Sequence, residues 1–201
     1  MTKIKLCGLR RACDIDYANE LMPDFIGFVF ALKSKRFVSF NEAEDLRKKL
    51  NDGITPVGVF VNETIENIEY LVSHNIISIV QLHGSEDNEY IRLLRSKVNC
   101  PIIQAFRIQN RSDIAAAEKS EADYIMLDSG GGTGETFNHT LISSLKREFF
   151  LAGGLNSENV YDAILKYHPY AVDTSSALET YGVKDKNKMT AFVNAARYGK
   201  E

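Results

Sequence analysis

Short apolar or β-branched runs recur along the chain, and the stretches between them place apolar residues at helical spacing. The runs are "KIKLC" from Lys3, "FIGFVF" from Phe25, "PVGVFV" from Pro56, "SIVQLHG" from Ser78, "PIIQAF" from Pro101, "DYIMLD" from Asp123, "FFLAGG" from Phe149 and "YAVDTSS" from Tyr170. Each repeat leaves room for one strand, one helix and two short loops. Between the runs, "NEAEDLRKKL" puts Ala43, Leu46 and Leu50 on one face behind an Asn41 cap. "NETIENIEYLVSHN" does the same with Ile65, Ile68, Leu71 and Val72. "SEDNEYIRLLRSK" opens on Ser85 and acidic residues, the chemistry of a helix N-terminus. "NSENVYDAILKYH" and "KNKMTAFVNAARYG" complete the series, with a short helix expected near Leu141 to Leu145.

Alternating strands and helices imply parallel strands joined by right-handed crossovers. Eight such units close into a (β/α)₈ barrel of the α/β class, here a single domain of minimal length over residues 1–201. The alternative is an open doubly wound sheet, but the chain lacks a G-x-G-x-x-G turn after its first strand.

Active sites of such barrels lie at the C-terminal strand ends. Those ends carry Cys7, His83, Asp128, the Gly153-Gly154 turn and the Ser175-Ser176 turn. Cys7 reads either as a small core filler or as a reactive thiol. Strand alternation turns Lys3, Lys5 and Cys7 to one face and Ile4 and Leu6 to the other, which points Lys5 and Cys7 into the barrel. An interior lysine needs a partner. Asp173, inward on the closing strand by the same parity, is the expected one, in an ion pair just below the catalytic layer. The Lys5 charge is expected to favour the Cys7 thiolate.

Asp128 is either a turn aspartate or a general acid. "LAGGLNSEN", with Asn156 or Ser157 as the helix cap, and "DTSSALE" both suit an anion, since glycine lets backbone N–H groups approach it and a helix N-terminus favours negative charge. Their place after strands seven and eight is the usual phosphate site of barrels. "GGGTGE" after Asp128 lacks the Lys-Ser/Thr of a nucleotide-binding loop and reads as a lid beside a carboxylate. In "FALKSKRFVS", Arg36 is either a solvated loop residue or a fork for a substrate carboxylate.

Composition narrows the class without naming a function. The net charge of -3 gives no pull toward nucleic acid, and no apolar run is long enough to span a membrane. The N-terminus lacks the apolar core of a secretion signal, so a cytoplasmic protein is expected. Cys7, Cys13 and Cys100 form no CxxC pair and read as reduced thiols, not as a disulfide framework or zinc site.

Taken together, "KLCGLR", "DFIGFVFALKSKRFVS", "PVGVFVN", "VQLHG", "LDSGGGTGETFNH", "LAGGLNSENV" and "AVDTSSALETYGVKD" resemble the phosphoribosylanthranilate isomerases of tryptophan biosynthesis, in family order across residues 3–185. The resemblance implies a (β/α)₈ barrel that performs an Amadori rearrangement of a small phosphorylated substrate, with no metal or organic cofactor. It implies Cys7 as general base, Asp128 as general acid and Arg36 on the substrate carboxylate. The Gly153-Gly154 and Ser175-Ser176 turns are implied to hold phosphate, and His83 and Asp173 join the substrate-binding set. No nucleic-acid or membrane partner is implied, and the assembly is a monomer or homodimer. Lys35, Asn138-His139, Ala177 and Tyr181 depart from the usual family pattern, and none of them removes a catalytic group. Another phosphate-gripping barrel and a non-catalytic phosphometabolite sensor are the competing readings. The first is disfavoured by Cys7 with Asp128, and the second by an intact Cys7, Asp128 and Arg36.

Overall fold

The computed structural model describes residues 1–128, 142 and 145–199. Strands β1 (Lys3–Cys7), β2 (Phe25–Val29), β3 (Thr55–Phe60), β4 (Ile79–Leu82), β5 (Ile102–Arg107), β6 (Tyr124–Asp128), β7 (Phe149–Ala152) and β8 (Ala171–Thr174) form a closed parallel barrel in that order. Outside it lie α1 (Ala12–Leu21), α2 (Phe40–Lys49), α3 (Ile65–Ser73), α4 (Asn88–Arg95), α5 (Arg111–Glu118), α6 (Val160–Tyr167) and α7 (Lys186–Tyr198). The single (β/α)₈ domain is therefore as expected. The glycine-rich segment expected as a lid lies outside the described residues. So does the short helix expected near Leu141, apart from Ile142 and Leu145.

Helix boundaries shift from the sequence reading because capping chemistry decides them. Helix α2 starts at a Ser39 cap, not at Asn41: Ser39 Oγ accepts from the Glu42 N–H, and the Glu42 carboxylate accepts from the Ser39 N–H at 2.8 Å. Helix α4 is capped by Asp87, which accepts from the Tyr90 N–H at 2.9 Å, and not by Ser85. Helix α6 begins after Asn159, beyond the expected Asn156 or Ser157. Helices α1 and α5 fill gaps in which the alternation alone expects a helix, with no apolar face assigned from the sequence. In α1 the inward residues are Asp14, Ile15 and Ala18, so an acidic side chain interrupts the apolar face. Asp14 is fully buried because its Oδ2 accepts from the Arg10 and Arg11 N–H groups, each at 3.0 Å.

Inward side chains stack in layers contributed alternately by odd and even strands. The strand registers put Lys5, Val57, Ile103 and Phe150 in one layer and Gly27, Gln81, Met126 and Asp173 in the next. Above these come Cys7, Val59, Ala105 and Ala152, and then Val29, His83, Asp128 and Ser175 at the mouth. At and below the Lys5 layer the barrel is plugged by aromatic rings, with Tyr124 and Tyr170 stacked at 4.8 Å and Phe25 and Phe150 at 5.6 Å.

Lys5 is the largest fully buried polar side chain among the described residues. Its Nζ lies 2.7 Å from Asp173 Oδ1, and the two residues are register partners on β1 and β8. The expected interior ion pair is thus present at the seam that closes the barrel. Replacing either partner alone with an apolar residue should destabilise the protein by roughly 3–5 kcal/mol, since the other charge is left buried and unpaired. Replacing both should cost less than the two single changes added together. Urea unfolding of the three variants checks this, and additive losses would remove the pair's structural role.

Candidate active site

The mouth of the barrel is built from strand ends and from the turns that follow them. Cys7 ends β1 and is buried. Gly27 on β2 makes its space: a Cβ there would stand 2.6 Å from Cys7 Sγ. Gly8 follows with φ +79°, a left-handed conformation, and the Arg36 stem lies where a Gly8 side chain would be.

Burial pushes the Cys7 thiol above its ordinary range. Lys5 and Lys184 pull it the other way, Asp173 adds to the rise, and burial prevails. Lys5 thus favours the thiolate as expected, but burial outweighs it and the net shift is upward. The ammonium charge of Lys5 is already answered by Asp173, while the thiol has lost its water.

Asp128 ends β6, and its backbone carbonyl accepts from the Ile108 N–H at 2.9 Å. Its Oδ2 lies 3.5 Å from His83 Nε2. His83 is set by the loops around it. Its N–H donates to the Phe60 carbonyl at 2.8 Å, and the buried Glu86 carboxylate accepts from the N–H groups of Asn62 (2.6 Å) and Gly84 (2.8 Å). The Gln81 amide donates to His83 Nδ1 at 3.0 Å, which leaves the neutral ring's proton on Nε2, facing Asp128. Gln81 is buried, and its Oε1 has no hydrogen-bond partner among the described residues. Only Cys7, Val59, Ala105 and Ala152 form the layer between Gln81 and the mouth, so this acceptor sits under a floor of small side chains.

Beside this floor, Gly153, Gly154, Leu155, Asp173, Thr174, Ser175, Ser176 and Ala177 line a cavity of about 280 Å³. Gly153 and Gly154 adopt φ values of 88° and 67°, which side-chain-bearing residues rarely do. After β8 the chain makes a 3₁₀ turn, Ser176–Leu178, in place of a longer helix. Ser175 Oγ donates to the Cys7 carbonyl at 3.0 Å, which ties the two turns of the mouth together.

The sequence reading missed the segment that follows. Strands β9 (Glu179–Thr180) and β10 (Val183–Lys184) form a small antiparallel hairpin turned at Tyr181-Gly182, where Tyr181 adopts φ 51° and is fully exposed. The hairpin delivers two charged side chains to the mouth. Arg36 Nε donates to Glu179 Oε1 at 2.6 Å and its Nη2 donates to Oε2 at 2.9 Å, a bidentate fork. Lys184 Nζ, almost fully buried, donates to Glu179 Oε1 and to the Ser175 carbonyl, each at 2.8 Å. Arg36 is thus not a solvated loop residue, although one edge of its guanidinium is already engaged. Burial alone would raise the Glu179 carboxyl; hydrogen bonds from Arg36 and Lys184, and their charges, outweigh it and hold the group at about 2.

Arg36, Cys7, Asp128, His83, Asp173 and the two turns therefore converge on one mouth. Gln81, Glu179 and Lys184 belong to it as well. The signal for Lys184 is available in principle, as an inward lysine two residues past a Tyr-Gly turn.

Glu179 carries a stability signature with a definite sign. Its folded value lies below the ordinary glutamate value near 4.3. The stabilisation is therefore present above that ordinary value and is lost as pH falls toward 2. Glu179→Gln should be less stable than the parent at neutral pH by at most about 3 kcal/mol. The two proteins should converge as pH approaches 2; a gap independent of pH in chemical unfolding would refute the assignment.

The comparisons with known proteins agree with this geometry. Residues 4–195 match the family model described as N-(5'-phosphoribosyl)anthranilate (PRA) isomerase. A curated relative from Endomicrobium trichonymphae, named N-(5'-phosphoribosyl)anthranilate isomerase, is 43% identical over 202 residues, covering 98% of this chain and 99% of the relative. The crystal structure of phosphoribosyl anthranilate isomerase from Thermotoga maritima superposes with a TM-score of 0.89 at 35% identity, covering 98% of this chain and 99% of that one. A crystal structure of phosphoribosyl anthranilate isomerase in complex with reduced 1-(o-carboxyphenylamino)-1-deoxyribulose 5-phosphate gives 0.87 at 35% identity, with the same coverage.

Proposed function

The chain belongs to the N-(5'-phosphoribosyl)anthranilate isomerase family, and from that premise we propose that Cys7 and Asp128 form the acid–base pair of its reaction. The enzyme converts N-(5'-phosphoribosyl)anthranilate into 1-(2-carboxyphenylamino)-1-deoxyribulose 5-phosphate in tryptophan biosynthesis. The observation that carries the assignment is placement. A buried thiol and a carboxylate face inward from β1 and β6, in adjacent layers, beside a cavity with left-handed glycine turns.

Asp128, carrying its proton, protonates the furanose ring oxygen. The C1'–O4' bond breaks while the nitrogen lone pair forms a C1'=N iminium. Cys7 reacts as its thiolate, its own proton having passed to solvent; the C2' proton then passes to the sulfur, and the C–H electron pair becomes the C1'=C2' bond as the iminium electrons return to nitrogen. The resulting enolamine loses its hydroxyl proton and gains one at C1', giving the aminoketose. The substrate's own nitrogen serves as the electron sink throughout.

Backbone N–H groups of the Gly153-Gly154 and Ser175-Ser176 turns receive the phosphate, and Arg36 receives the ring carboxylate. Holding both ends of the substrate places its C2' between base and acid. The raised thiol makes a strong base once deprotonated, and the iminium cation formed on ring opening supplies the positive charge that favours the thiolate. His83, turned to Asp128 by Gln81, orients the acid. The sensor reading loses support, since a sensor has no use for an acid and a base at one barrel mouth.

Loss of the fluorescence of N-(5'-phosphoribosyl)anthranilate tests the activity directly, and an inert purified protein would overturn it. Cys7→Ala should lower kcat by at least ~100-fold with a smaller change in KM. Alkylation of Cys7 by iodoacetamide in the substrate-free enzyme should titrate above an ordinary thiol, whose value is near 8.5, and a midpoint below that value would contradict the desolvated site. Arg36→Met should raise KM more than it lowers kcat, because the carboxylate contact is made in both ground and transition states. An unchanged KM would separate Arg36 from the carboxylate.

A further inference from the structure

One edge of the Arg36 guanidinium, Nε with Nη2, is taken by Glu179. Among the described residues, two parallel N–H groups, on Nη1 and on the outer side of Nη2, are left for a second planar anion approaching end-on. A carboxylate that has already claimed an arginine would normally weaken it as an anion site, because it neutralises the charge and repels the incoming group. The structure contains the compensation. Lys184 has 1% side-chain exposure and touches the Glu179 oxygen that Arg36 Nε also holds. Its three N–H groups match three acceptors: Glu179 Oε1 and the Ser175 carbonyl at 2.8 Å, and Ser175 Oγ at 3.3 Å. Two cations and one anion leave a single net positive charge, exposed only through Arg36, since Lys184 and Glu179 are both largely enclosed.

We propose that Glu179 and Lys184 are positioning residues for recognition of the substrate's aromatic carboxylate: Glu179 aims the Arg36 fork, and Lys184 cancels Glu179 so that the arginine charge stays available. The hairpin of β9 and β10 is then a specificity element, carrying both residues and resting on Ser175 at the mouth. Glu179 also restricts the approach. With the side-on edge filled, the ring carboxylate docks through the end-on edge alone, which fixes the anthranilate ring relative to Cys7. This inference rests on the reading that Arg36 receives the carboxylate, and its test separates the two.

The probes are the reduced product analogue, 1-(2-carboxyphenylamino)-1-deoxyribulose 5-phosphate with its ketone reduced, and the same compound without the ring carboxylate. The ratio of their inhibition constants reads carboxylate recognition alone, while the carboxylate-free compound reports an intact phosphate site and fold. In the parent enzyme the carboxylate should tighten binding by about tenfold to a hundredfold, the scale of hydrogen bonds to a charged group. Arg36→Met should bring the ratio close to unity; if it does not, Arg36 is not the carboxylate contact and the underlying reading fails. Lys184→Met should also collapse the ratio, because an uncompensated Glu179 then faces the ligand. Adding Glu179→Gln to Lys184→Met restores the single positive charge and should recover part of the ratio, although the fork is less well aimed. Lys184→Arg should keep it. If Arg36→Met abolishes recognition while Lys184→Met retains the parent ratio, or if the double variant is no better than Lys184→Met, the proposal is overturned. Should Lys184→Met not fold, Glu179→Gln alone decides: it leaves both cations unanswered and removes the group that aims the fork, and an unchanged ratio would reject the role of Glu179.

Discussion

An ammonium group with no exposed surface stands inside the barrel, and the site above it depends on how that charge is answered. Lys5 is held by Asp173 at 2.7 Å across the seam between the first and last strands. A buried ion pair of this kind is weak evidence for stability, since its desolvation offsets much of its attraction. Its value here is positional. It fixes the stagger at which β8 meets β1, and it does so one layer below Cys7. It also neutralises Asp173, which lines the cavity proposed to take the phosphate. The barrel closure and the proposed anion site therefore share one interaction.

Above that pair, the site consists largely of missing side-chain volume. Gly27, Ala105 and Ala152 stand where the same strands carry Phe25, Ile103 and Phe150 lower down. The lower layers fill the barrel as a packed core, with the stacked tyrosines sealing the far end. The change from bulky to small residues occurs at Cys7, so the thiol is desolvated by protein on one side and faces the mouth on the other. Gly27 makes this causal link concrete: its missing Cβ is the space that the sulfur occupies.

Much of this was legible in the sequence because parallel strands write their faces with a period of two. The parity that joined Lys5 to Cys7 and Asp173 to Ser175 was enough to place an ion pair before any coordinates. The same rule did not reveal α1, because Asp14 faces inward and is satisfied by backbone N–H groups, so it looks polar while behaving as core. The hairpin was invisible for a different reason. Strands of two residues have no periodicity to read, and the positive φ of its turn falls on Tyr181 as well as on Gly182. Lys184 and Glu179 were consequently passed over, although they decide which part of Arg36 is available. The direction of the Cys7 shift also needed coordinates. Two lysines near the thiol argue for a lower value, and only the extent of burial shows that desolvation prevails.

The charge balance of the mouth explains why a neutral thiol suits this position better than a permanently ionised base. The ligand brings a phosphate and a carboxylate into a space where Lys5 is cancelled by Asp173 and Glu179 by one of its two cations. A carboxylate base at the Cys7 position would add a further anion beside Asp173 and oppose substrate entry. A buried thiol resting in its neutral form adds none. In the proposed reaction, ring opening creates a cation on the substrate nitrogen at the step in which the Cys7 sulfur carries negative charge. The field that favours the thiolate is thus produced by the reaction itself, and the resting enzyme does not have to stabilise an exposed nucleophile. Desolvation, which looks unfavourable for a base in the free protein, keeps the site electrically open to an anionic substrate and strengthens the base when it acts.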